Sequence, residues 1–141
     1  MNQGMGPGSD FGERPERAAI VGIQEMAENG EANVMITLTY HDEEFSGTAT
    51  GSASASARPR IVGEATLRAV ESVTGGRLKL SLDAIATTDL GESRVAMAQV
   101  GLMGSPEPLV GSALVQTSDS ATATVKAVLD ALNRRMSQVL E

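Results

Sequence analysis

A short pattern recurs within this chain in a fixed order. Residues 65–70 read ATLRAV and residues 123–128 read ATVKAV. Upstream of each lies a second match, Phe45-Ser46-Gly47-Thr48-Ala49 against Leu109-Val110-Gly111-Ser112-Ala113. The two matches are offset by different amounts, and a small-residue loop in the first half, Gly51 to Ala57 (GSASASA), accounts for the difference. Two matches in one order argue for duplication of a supersecondary unit.

Hydrophobic patterning places the same elements in each half. Ala19, Val21 and Ile23 alternate in a first strand, and Asn29-Gly30 is a strong two-residue hairpin signal because both residues accept positive φ. Val34, Ile36, Leu38 and Tyr40 then line one side of a second strand. After the polar turn HDEE, Phe45, Gly47 and Ala49 lead a third. A helix follows over Ile61 to Val73 and stops at Gly75-Gly76. Leu78 to Ala84, Arg94 to Met103 and Leu109 to Val115 repeat the three strands. Thr117-Ser118-Asp119-Ser120 supplies cap residues for a last helix with a broad apolar stripe from Val125 to Leu140. The predicted fold is therefore α+β, two βββα units with antiparallel three-stranded sheets and helices packed on them. We expect a single domain over residues 17–141, made of repeats 17–76 and 77–141, behind a disordered tail at residues 1–16.

The chain has 141 residues, and its composition excludes several functions. A net charge of −7 without any basic run argues against nucleic-acid binding. Without cysteine there are no disulfides or thiolate metal sites, and no apolar stretch is long enough to span a membrane. A cytoplasmic location is expected. Two Phe, one Tyr and no Trp leave a core of small side chains, which requires close backbone approach. His41, the sole histidine, lies beside Asp42, Glu43 and Glu44, but consecutive side chains in a turn diverge and no second ligand pattern supports a metal. No nucleophile sits in a recognisable elbow, and GSASASA lacks the lysine of a phosphate-binding loop. We therefore expect no enzyme and no cofactor; a carboxylate enzyme is the remaining catalytic alternative.

Two features point to binding instead. Small, polar segments lead into both helix N-termini, where free N–H groups and the helix dipole favour an anion. Ser52, Ser54, Arg58, Arg60, Ser118, Asp119 and Ser120 form this candidate ligand site. Arg60 or a helix N-terminus would take a carboxylate, and Asp119 an amine. In addition, the fifth and sixth strands are apolar on both faces, which suggests a homodimer interface through Val95, Met97, Val100, Leu102 and Leu114.

The segment Thr117 to Arg135 (TSDSATATVKAVLDALNRR), with Ala131-Leu132-Asn133-Arg134 near its end, resembles the C-terminal regulatory domain of alpha-isopropylmalate synthase. Gly47 and Gly111 in the third strands and the small-residue loop before the first helix extend the resemblance. It implies two βββα units, dimerisation and allosteric binding of leucine, on a stand-alone chain without the catalytic barrel. At the first loop the family's Gly-Asn-Gly-Pro type turn is replaced by GSASASARPR. The expectation from sequence is thus a homodimeric regulatory module for a small amino-acid-like metabolite. The alternative is a structural module that engages a protein partner and no metabolite.

Overall fold

The computed structural model describes residues 17–116 and 119–140. The expected tail, residues 1–16, and Ser118 of the candidate site lie outside the described residues. The remainder is an α+β fold of two βββα units. The first contains β1 (Ala19–Glu28), β2 (Glu31–Tyr40), β3 (Glu43–Ser52) and α1 (Arg58–Val73). The second contains β4 (Leu80–Leu90), β5 (Ser93–Leu102), β6 (Leu109–Leu114) and α2 (Ser120–Leu140). Each unit forms its own antiparallel sheet, in the orders β1-β2-β3 and β4-β5-β6.

Turn chemistry sets both registers. Asn29 and Gly30 have φ of 56° and 79°, and His41 and Asp42 have φ of 51° and 64°. These values match the tight hairpin turns whose twist suits antiparallel strands. Glu28 consequently faces Glu31, and Tyr40 faces Glu43. A bulge interrupts β1 at Val21 and another interrupts β4 at Asp83, at equivalent places in the two units.

The core lies between the helices and the inner sheet faces. Ile36, Leu38 and Val34 from β2, and Val100, Ala98 and Ala96 from β5, are enclosed there. Leu67, Val70, Val125, Val128 and Leu132 meet them from the helices. Each helix also crosses to the other unit, α1 onto β4 and, more sparingly, α2 onto β1. The small-residue composition is explained by the third strands. A Cβ at Gly47 would stand under 3.0 Å from Ala65 O and Ala69 N, and one at Gly111 would do the same to Ala127 O and Ala131 N. Both helices therefore rest directly on strand backbone.

These contacts correct the reading of the sequence echo. Gly47 and Gly111 are equivalent, as expected, but Ala65 and Ala69 correspond to Ala127 and Ala131. The match of ATLRAV with ATVKAV is thus one helical turn out of structural register. The helix starts agree with this pairing, since Arg58 stands where Ser120 stands. Alanine recurs every turn in α2 (Ala123, Ala127, Ala131), so a slip by one turn preserves most of the sequence match.

Candidate functional site

The two helix N-termini meet where the units join. Arg58, the first residue of α1, donates from Nη1 to Ser120 Oγ, the first residue of α2, at 3.3 Å. Its Nε and Nη2 donate to Glu25 Oε1 and Oε2 at 2.6 and 2.7 Å, a bidentate ion pair to the inner side of β1. This hydrogen bond from Arg58 holds the Glu25 carboxyl below its ordinary pKa, and the same bond raises the guanidinium. Two candidate residues, Arg58 and Ser120, therefore converge with a carboxylate that sequence reasoning left unassigned. Glu25 precedes Arg58 by two strands and a loop, and no local signal couples them.

Beside this pair lies a cleft of about 160 Å³. Ser52, Ser54, Glu25 and Arg58 line its polar side, while Ala32, Val34 and Ile61 contribute apolar surface. Ser52 and Ser54 are thus brought to Arg58 as expected; Ser54 N donates to Ser52 Oγ, which shapes the loop locally.

Other candidate residues are committed elsewhere. Asp119 caps α2: Thr122 N donates to Oδ1 at 3.2 Å and Thr122 Oγ1 to Oδ2 at 2.5 Å. The hydroxyl bond from Thr122 is the main reason the Asp119 carboxyl sits below its ordinary pKa. Both oxygens thus serve the helix end, a capping role beside the expected pairing with a ligand amine. Arg60 points away from the cleft, donating to Leu82 O at 2.9 Å and pairing with Glu64 at 3.3 Å. The first helix has no comparable cap: Ala57 is its N-cap residue and makes no side-chain cap bond, while Pro59 falls in the first turn.

The candidate interface residues divide between the two faces of the second sheet. Val95, Met97 and Leu114 lie on the outer face, where Val95 pairs with Leu114 and Met97 with Ser112. Met97 is 41% exposed and Leu114 53%, and Val110 beside them is 64% exposed. Val95 is enclosed between its cross-strand neighbours. Val100, by contrast, is 0% exposed in the core of its own chain, and Leu102 packs at that core's margin. Neither belongs to the open face, because strand alternation turns them toward α2. Sequence reasoning missed Val110, whose side chain contributes the most exposed apolar surface among these three.

A wider depression of about 720 Å³ lies at the far end of the second sheet, between Arg68, Lys79, Asp83, Gln99 and Glu107. It contains none of the expected ligand residues. His41 sits in the β2–β3 turn against the Tyr40 ring. That turn is separated from Ser52 by the whole of β3, about 30 Å of extended chain. Among the described residues, no group of three or more metal-ligating side chains gathers, and no helix is long and apolar enough to cross a membrane. No protein-family model and no curated protein sequence matches the chain.

Proposed function

We propose that this chain is a non-catalytic, homodimeric regulatory module that binds a small amino-acid-like metabolite in the cleft at the Glu25–Arg58 pair. The observation that supports it is the juxtaposition of one guanidinium and one carboxylate above an apolar floor. A zwitterion matches that pattern: its carboxylate meets Arg58, its ammonium meets Glu25, and a short aliphatic side chain covers Val34 and Ile61. Few, convergent polar groups on an apolar pocket are the usual design of small-ligand sites. The ligand would tie β1 to both helix starts, linking the two units. Regulation then means that binding stiffens the junction and changes the surface offered to a partner.

Thermal unfolding with aliphatic amino acids and with the matching 2-oxo acids tests this reading. A ligand at a hundred times its Kd stabilises the fold by about 2.7 kcal/mol, a rise of roughly 5–10 °C for a domain of this size. The gain should need the amine and vanish in Arg58→Gln and Glu25→Gln. Failure of every compound at millimolar concentration would sink the metabolite claim.

A second reading has its own support. Met97, Val110 and Leu114 make an apolar outer face that favours protein association with no metabolite at all. A dimer in solution that answers no compound would favour this alternative.

A further inference from the structure

The two units leave two seams between strand edges. In the first, β3 and β4 face each other across α1; in the second, β6 and β1 face each other across α2. The first is stapled by side chains of α1. Arg60 and Arg68 donate to Leu82 O and Leu80 O, and Glu71 accepts the Leu80 N–H. One repeat later, the counterparts of Arg60, Arg68 and Glu71 are Thr122, Asp130 and Asn133. Asp130 turns to the opposite wall and accepts the Ser112 N–H of β6 at 2.9 Å. Asn133 Oδ1 is enclosed yet has no hydrogen-bond partner among the described residues. β1 is thus left without the staples that hold β4, and a groove of about 440 Å³ remains beside it.

We propose that this groove is a docking site for an extended acidic peptide segment of a partner protein, added as a strand between β6 and β1. Its walls are edge strands, whose outward-directed backbone groups, apart from the Ser112 N–H taken by Asp130, recognise extended chain by main-chain hydrogen bonds. Charge selects the sequence. Arg17 and Lys126 line the groove and make no ion pair among the described residues. Asp130, the one carboxylate among the described lining residues, is already engaged by Ser112. Acidic side chains of the guest meet these cations, and its apolar side chains cover Leu129 and Ile20. The groove is independent of the cleft at Glu25–Arg58.

The test is a titration of the isotope-labelled full chain with an acetylated, amidated six-residue peptide of alternating valine and glutamate, read from amide NMR shifts. The expected shifts centre on residues 18–20 and 112–114. Lys126→Glu should weaken binding about tenfold, as should lysine in place of glutamate in the peptide. The double variant Asp130→Arg with Asn133→Glu installs the staples of the first seam; it should abolish binding while keeping a cooperative unfolding transition. Absence of shifts at millimolar peptide, shifts confined to the Met97 face, or equal binding of the lysine peptide would overturn the proposal. So would deletion of residues 1–16 shifting the same amides without peptide, because the guest would then be the chain's own N-terminal segment.

Discussion

Met35 and Met97 stand at equivalent places on the outer faces of the two sheets, yet their surroundings differ. Around Met35 are Gln24, Thr37, Thr48 and Thr50, a hydroxyl-rich surface crossed by the Thr37–Ser46 hydrogen bond. Around Met97 are Ala86, Val95, Val110 and Leu114, with Ser112 directly opposite and Gln99 along the strand. The inner faces, by contrast, are alike: aliphatic side chains from the middle strand and a glycine in the third, pressed on a helix. Duplication kept what the fold requires and let the outer faces diverge. An outer face carries no packing constraint within the chain, so its composition records what it meets outside.

The largest test concerns the shared inner design. Gly111→Ala and Gly47→Ala should each cost about 3 kcal/mol in urea unfolding, because the added methyl group meets helix backbone that cannot yield without repacking. Tolerance in one unit alone would show that the two helix docks are not equivalent after all.

Next come the outer faces. Val110→Glu should weaken self-association about thirtyfold in sedimentation equilibrium, the effect of removing an interface residue worth about 2 kcal/mol. Its counterpart, Ser46→Glu in the first sheet, should leave the mass unchanged. If both variants behave alike, the contrast between faces has no bearing on assembly.

Smaller effects separate the helix starts. Asp119→Ala should cost about 1 kcal/mol through the lost cap of α2. The start of α1 relies on the exposed pair instead: Glu25→Gln should cost about 0.5 kcal/mol at neutral pH, given solvent screening. The folded Glu25 has a lowered pKa, so this stabilisation is present above the unfolded carboxylate value, about 4.3. It is lost as pH falls through the folded value. The difference between wild type and Glu25→Gln should therefore shrink below about pH 4.

Much of this organisation is legible in the residues themselves. Asn29-Gly30 marks its turn because few residue pairs accept two positive φ values, and Gly47 with Gly111 marks the repeat because neither strand tolerates a Cβ. Asp119 is readable as a cap from its place before an apolar stripe. The echo in the helices misleads by a turn, since alanine at every fourth position fits more than one register. Arg58 is recognisable as a charge near a helix start, but its partner Glu25 is not, because their approach depends on how β1 curves past the loop. Arg60 and Arg68 show the same limit: whether a helix arginine serves a ligand or a strand edge is decided by the neighbouring unit. For Val100 and Val110, alternation separates the faces of a strand, while the docking of α2 determines which face is covered.

The connection from α1 into β4 carries a further consequence. Arg77, within that connection, donates from Nη1 to Val139 O near the end of α2. The end of α2 therefore lies against the connection into β4, while Asn133 of α2 lines one groove with the start of β1. Connectivity between units is then nearly interchangeable. A circular permutant opened at Gly76, with a short bridge from the end of α2 to Arg17, should keep every strand pair and both glycine docks. Its order of synthesis would be reversed: the second unit would leave the ribosome first. Comparing its refolding rate with that of the parent chain would show which unit forms first, since the final structure is common to both.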